Sequence, residues 1–331
     1  MKITLISWYF PSMSGGAEKS ITEELKKYSQ KNNCKVISFD ERFRKGKFNI
    51  EGLEGINIPL KYNIKQSRFI SLKLNKNFFI KEINKYLEDC DLILTQSLLA
   101  PIVSKIAKNK NIPYHYYLRD ENNLNEFHNY ENGFKYILKI IKDIIDFPFR
   151  KYYAKSNLFA LENATKIIAN SKFIQKSLLK KYGLKSIVKY PPIDYSKLNK
   201  KLMSKNPKYI TFIGGGKPIK GYDVVLKIAK ELSDEKFIIL GRYKKQSTKN
   251  NVIFMPLKKN IMEVYSKTKL LLVPSRWKEA FGRVVLEAQY VGIPVITSNQ
   301  GGLPEANKNK NLIIEDLENI DLWVNKIKGL K

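Results

Sequence analysis

The sequence predicts an α/β protein of two domains, each a mostly parallel sheet flanked by helices. Three observations predict it. The chain has 331 residues, about twice an average domain. Short β-branched and aromatic runs alternate with helical patterns from the first residues onward, as parallel strands joined by crossover helices require. The pattern breaks at Tyr190-Pro191-Pro192-Ile193-Asp194 and then restarts. Consecutive prolines continue neither a helix nor a central strand, so the hinge is expected there, with domains at 1–193 and 194–315.

Ile3–Trp8 reads as the first strand, and Ala17 to Lys31, with Ile21, Leu25 and Tyr28 on one stripe, as the amphipathic helix after it. Lys35–Phe39, Leu92–Thr95, Tyr114–Leu118 and Lys166–Ala169 are the next strands. In the second half the expected strands are Tyr209–Ile213, Lys236–Leu240, Asn251–Met255, Leu270–Val273 and Pro294–Thr297. Two such α/β units of similar size facing each other would leave a cleft at the carboxyl ends of both sheets, where open α/β sheets bind ligands.

Composition excludes several classes. Hydrophobic residues at 43% and aromatics at 12% are ample for packed cores, so the chain is folded and not a disordered polyelectrolyte. No apolar run approaches the ~20 residues of a membrane span. Ile3 to Trp8 is too short for a signal h-region, which predicts a cytoplasmic location. Two cysteines, Cys34 and Cys90, give no disulfide framework, and with His115 and His128 alone beside them no Cys/His metal cluster can be assembled.

The net charge of +29 is uneven: residues 1–150 carry 25 basic and 17 acidic side chains, whereas 151–300 carry 30 and 9. A basic field attracts phosphates, although a Lys- and Asn-rich composition alone could produce it.

The most informative stretch runs from Pro274-Ser275-Arg276-Trp277 through Glu279-Ala280-Phe281-Gly282-Arg283-Val284 to Glu287, followed by Gly292-Ile293-Pro294-Val295 and Gly301-Gly302-Leu303-Pro304-Glu305. A strand ends at Val273 and a helix opens at Phe281-Gly282, so its N-terminal amides suit a phosphate. Glu279 lies just ahead of that terminus and Glu287 inside the helix, about 12 Å apart at most from ~1.5 Å per residue.

A second element, Gly214-Gly215-Gly216-Lys217-Pro218-Ile219-Lys220-Gly221, follows the first strand of the second half; glycines admit an anion close to the backbone and lysines supply counter-charge. It is neither a dinucleotide fingerprint, lacking the third glycine and the acid after the next strand, nor a Walker A loop, since Tyr222 follows Gly221. A third, Gly15-Gly16-Ala17-Glu18, follows the first strand of the chain.

Together these pieces resemble the retaining, nucleotide-sugar-dependent GT-B glycosyltransferases of family 4, whose E-x7-E element is matched by Glu279 and Glu287. The resemblance implies two Rossmann-like domains, a nucleotide-sugar donor, and a glycan or lipid-linked acceptor. It implies that Glu287 binds the ribose hydroxyls and Glu279 those of the transferred sugar, while Lys220 neutralises the leaving diphosphate. The family's arginine position is Gly215 here, and Lys217 stands in as the second cation.

Gly15, Gly16, Gly214, Gly215, Gly216, Phe281, Gly282, Arg283 and Val284 complete the donor set. Arg119, where relatives carry a histidine, orients the acceptor or stabilises phosphate charge, or else forms a surface ion pair. No metal and no cofactor beyond the donor substrate is expected. Relatives continue past the helix matched by 316–329 with another helix that returns to the N-terminal domain; here either that crossover is missing or residues 316–331 do its work by packing back on the N-terminal domain.

Asp89-Cys90-Asp91 matches a metal-binding D-x-D pattern but precedes its strand, at the wrong edge of a sheet. Two other readings stand beside the transferase: a basic polyanion- or nucleic-acid-binding protein, for which recognition elements are missing and no nucleic-acid partner is expected, and a nucleotide-sugar-binding protein without catalysis. Finally, residues 134–147 carry apolar residues at helical spacing with lysines between them, and Arg150, Lys151 and Lys155 follow. These suit an anionic membrane surface, the alternative being that Ile137, Ile140, Ile141 and Ile144 face the core.

Overall fold

The computed structural model describes residues 1–10, 16–64, 67–119 and 134–330. They divide into two compact units, Met1–Pro192 and Ile193–Lys331, each built on its own sheet.

The first unit opens with β1 (Lys2–Ser7), α1 (Gly16–Ser29), β2 (Asn33–Ser38), β3 (Gly46–Ile50), β4 (Leu53–Asn57), α2 (Arg68–Leu74) and α3 (Lys76–Lys85). It continues with β5 (Leu92–Gln96), α4 (Ala100–Lys110), β6 (Tyr114–Leu118), α5 (Phe134–Glu162), β7 (Lys166–Ala169), α6 (Lys172–Tyr182) and β8 (Ile187–Val188). The strand order is β3-β4-β2-β1-β5-β6-β7-β8, parallel except for the β3–β4 hairpin. The central strands are buried on both faces and therefore read as near-continuous apolar runs. Leu5, Ile21, Leu25, Val36 and Leu94 form the core under α1.

The 29-residue α5 is the longest helix described. Its second half packs on α2 and α4 and buries Tyr153, Ala160 and Leu161. Its first half does not. Ile137, Leu138, Ile140, Ile141, Ile144, Ile145 and Phe147 are all exposed, Ile144 to 67%. The alternative that this stripe faces the core is thereby corrected: among the described residues nothing in the chain covers it. No described helix is long and apolar enough to cross a membrane.

The second unit contains β9 (Tyr209–Ile213), α7 (Tyr222–Glu231), β10 (Lys236–Gly241), β11 (Ser247–Lys249), β12 (Val252–Pro256), α8 (Met262–Tyr265) and β13 (Thr268–Val273). Then come α9 (Arg283–Tyr290), β14 (Val295–Ser298), α10 (Leu303–Ala306), β15 (Ile313–Ile314) and α11 (Ile320–Lys328). The order is β11-β12-β10-β9-β13-β14-β15, parallel except for β11. Residues Ile193–Lys331 form one compact unit, within which α11 packs. Asn319 caps it, Trp323 and Ile327 enter the core of the second unit with Ile210, Phe212 and Ile228, and the Trp323 indole donates to the Leu317 carbonyl at 3.1 Å. A fully buried tryptophan of this size holds the helix where it is.

Candidate active site

The site is assembled at the carboxyl ends of β9 and β13. After β9 the chain makes a 3-10 turn, Pro218–Lys220, and enters α7 through Gly221 at φ +81°. A Cβ there would sit 2.8 Å from the Pro274 carbonyl carbon and closer still to its oxygen, so only glycine lets this loop lie on the segment after β13. The Arg276 and Trp277 amides both donate to the Ile219 carbonyl at 3.1 Å. The Arg276 guanidinium holds Asp223 with two bonds of 2.6 and 2.7 Å, the Pro218 carbonyl at 2.8 Å and Glu318 at 2.7 Å. Burial works to raise the Asp223 carboxyl, but the guanidinium outweighs it and holds the group below its ordinary value. This fork-to-fork clamp fixes the two loops as one piece.

That piece presents a pair of opposite charges. The Lys220 ammonium pairs with Glu279, whose same carboxylate oxygen accepts from the Ser275 hydroxyl at 3.0 Å. Both side chains are partly accessible, Lys220 to 33% and Glu279 to 20%. Behind Glu279, the Gly302 amide donates to its carbonyl at 2.6 Å, and Gly301 (φ +61°) packs so close that a Cβ would lie 2.6 Å from the Lys278 carbonyl carbon.

The helix that follows begins with Gly282 at φ +99° as its N-cap, so the amides of its first turn point along the axis with the positive end of the dipole. One turn on, Glu287 faces Arg283 at 3.6 Å. Tyr265 lies beside it, its phenol pushed far above its ordinary value by burial and by the Glu287 charge.

The structure thus brings Lys220, Glu279, Gly282, Arg283, Val284 and Glu287 onto two adjoining loops and one helix of the second unit. Several of the expected donor contacts also have structural duties. Phe281 buries its side chain in the core with Leu271, Val285 and Leu303, and the partly buried Val284 packs against the same cluster. Gly214 leaves room for the Phe212 ring. Gly215 (φ +61°) packs on Gly241, and its amide donates to the Leu240 carbonyl at 3.0 Å. Gly216 has open space around it, and Lys217 beside it is exposed.

In the first unit, Gly16 opens α1 and its carbonyl accepts from Ser20 at 2.7 Å; Gly15 lies outside the described residues. Arg119 is no surface residue. It is 5% exposed at the end of β6, its guanidinium 5.0 Å from the centre of the Tyr117 ring. Burial, with Glu24 next, drives the Tyr117 phenol far up. Asp89 and Asp91 stand at the amino edge of the sheet, held by the Lys2 side chain at 3.1 Å and its amide at 2.6 Å. No group of three or more potential metal ligands occurs among the described residues.

Sequence reasoning missed the Arg276–Asp223 clamp and Tyr265, because 53 residues separate the clamp partners and no spacing signals such a pair.

Residues 195–331, the segment that builds this site, match the family model of the glycosyl transferases, group 1. That match makes the second unit similar to this family. Among curated relatives, an uncharacterized 42.6 kDa protein in the cps region of Klebsiella pneumoniae is 28% identical over 170 residues, 48% of this chain and 46% of that protein. The D-inositol 3-phosphate glycosyltransferase of Rhodococcus jostii (strain RHA1) is 26% identical over 201 residues, 50% of this chain and 44% of that one. The chain therefore aligns with just under half the length of these relatives. The likeness in fold extends further: Anabaena HepE, solved in complex with UDP-glucose, superposes with a TM-score of 0.73 and 18% identity over 99% of this chain and 89% of its own. The fold is accordingly that of the GT-B glycosyltransferases, two Rossmann-like α/β units in one chain.

Proposed function

We propose that the protein is a retaining, metal-independent glycosyltransferase of the family 4 type, moving a sugar from a nucleoside diphosphate sugar to an acceptor hydroxyl in polysaccharide, glycolipid or glycoprotein glycan synthesis. The observation that carries this reading is the contact between Lys220 and Glu279 on loops locked by Arg276 and Asp223. A cation suited to the leaving phosphate and a carboxylate suited to sugar hydroxyls sit side by side, as the two ends of a sugar–phosphate bond require.

Departure of the diphosphate develops negative charge on its distal phosphate. Lys220, Lys217 and the amides at the start of α9 stabilise that charge more than they stabilise the ground state, and so accelerate the step. Glu287 takes the ribose hydroxyls, and Arg119 acts on the acceptor side. The acceptor attacks the face the leaving group vacates, its proton passing to a donor phosphate oxygen, so no enzyme nucleophile and no cofactor is needed. Acceptors linked to lipid would place the work at the cytoplasmic face of a membrane.

A thermal-shift panel with UDP, GDP, ADP and CMP, followed by hydrolysis of the matching sugar nucleotide, tests the reading. UDP-glucose is the first donor to try because HepE holds it. One nucleotide should stabilise the fold by about 2.7 kcal/mol at 100 times its dissociation constant. No shift with any nucleotide would overturn the proposal.

A further inference from the structure

The apolar half of α5 is turned outward, while on its charged half Asp146 is buried. At 100° per residue, Ile137, Leu138, Ile141, Ile144, Ile145 and Phe147 fall on one half of the helix. All are exposed. Lys139, Lys142, Asp143 and Asp146 fall on the other half, where Asp146 is 4% exposed and within 4.0 Å of Lys142, and Asp143 pairs with Lys139 at 3.7 Å and with Arg150 at 3.5 Å. An amphipathic helix arranged this way leaves a contiguous apolar surface in water that monomeric domains rarely tolerate without a partner.

Where the stripe ends, a groove begins. It runs between α2, α3, α4 and the middle of α5, is partly open to solvent, and is walled by Phe69, Leu72, Ile102, Phe149 and Tyr152. Lys73, Lys76 and Lys105 border it and no carboxylate does. The Lys73 ammonium lies over the Phe149 and Tyr152 rings at 5.2 and 5.7 Å from their centres, its stem along the apolar wall.

We infer that this face docks on an anionic phospholipid bilayer, with the apolar half of α5 sunk at the headgroup boundary, one acyl chain in the groove and its phosphate among Lys73, Lys76 and Lys105. Charge complementarity selects this occupant. The face is apolar ringed by cations, which matches a surface that is hydrocarbon beneath phosphate. A second copy of the chain would bring two basic rims together. The inference gives the proposed transferase a surface to work on, yet stands apart from catalysis, because binding is read without any donor.

Co-sedimentation with vesicles tests it, using phosphatidylcholine alone and phosphatidylcholine with 30% phosphatidylglycerol. Binding is expected to the second only, falling as salt rises to about 500 mM, where screening is short. Ile144→Asp/Phe147→Asp and, separately, Lys73→Glu/Lys76→Glu should each lower the partition coefficient about tenfold or more while leaving thermal unfolding and nucleotide binding unchanged, since these side chains lie at the surface. Tyr152→Trp should lose fluorescence to lipids brominated along the chain. Equal binding to neutral vesicles, no binding to anionic ones at low salt, or indifference to both charge-changing variants overturns the inference. So does a concentration-dependent dimer dispersed by Ile144→Asp/Phe147→Asp, which would assign the face to a second copy.

Discussion

Replacing Gly221 by alanine probes how the Lys220 loop is held against the segment after β13. Two costs add at this position. The backbone sits at φ +81°, where an L side chain loses about 1–2 kcal/mol. The new methyl would also overlap the Pro274 carbonyl, a backbone group that cannot rotate aside, and relieving overlap in a packed region costs about 1–3 kcal/mol. Reduced freedom of the unfolded chain returns about 0.4–1 kcal/mol. A net loss of about 3 kcal/mol follows.

For a unit of roughly 140 residues, with an unfolding entropy of ~2.1 cal/mol/K per residue, that loss is a fall in Tm of about 10 °C. Two controls separate the terms. Gly292 has φ +88° with nothing within 4 Å of a Cβ, so Gly292→Ala should show the backbone cost alone, about 3 °C. Gly216 lies outside the positive-φ region and in open space, so Gly216→Ala should be near neutral. Thermal unfolding followed by circular dichroism ranks the three. A Gly221→Ala midpoint no lower than that of Gly292→Ala would refute the claim that the loop is wedged on Pro274, and with it the reason Lys220 meets Glu279.

Lys220→Ala should lower turnover about 10²-fold or more with sugar nucleotide and acceptor saturating; retained kcat would remove it from charge stabilisation. Glu287→Ala should weaken the free nucleoside diphosphate by about 1.5–3 kcal/mol in calorimetry, whereas Glu279→Ala should spare the nucleotide and weaken only the sugar donor. The Asp223–Arg276 pair contributes stability fully present above the ordinary carboxyl value of 3.8 and lost as pH falls through the depressed folded value. Urea midpoints of wild type and Asp223→Asn should therefore converge as pH is lowered below 3.8, and a constant gap would deny the carboxylate that role. EDTA should leave turnover intact, and activity restored by magnesium or manganese after chelation would contradict the metal-free mechanism.

What could be read in advance follows from the range of the forces involved. The strands Tyr114–Leu118, Lys166–Ala169 and Tyr209–Ile213 were legible to the residue because a strand buried on both faces is a local apolar run. The hairpin Gly46–Ile50 with Leu53–Asn57 was not, since Lys47, Asn49 and Glu54 break the pattern at the edge of the sheet, where one face meets water. In the site, Lys220, Glu279 and Glu287 were legible through their motifs, but their mutual geometry was not.

That geometry depends on groups no motif contains. Arg276 reaches Asp223 across 53 residues, and Gly301 and Gly302 admit the backbone of Lys278 to Phe281 only after β14 has paired beside β13. The same distinction explains α5. Its periodicity is visible in sequence, but which half of an amphipathic helix faces the protein is settled by what it packs against. Here the second half of the helix is anchored by Tyr153 and Asn157 against β6 and α4, where the Tyr116 hydroxyl donates to the Asn157 side-chain Oδ1 at 2.7 Å. Pro148 lies between this anchored half and the apolar half and removes one backbone donor from the helix ladder there. The apolar half therefore takes its own orientation, with Asp146 buried and Ile144 exposed, and that orientation is a matter of tertiary packing which no local periodicity specifies.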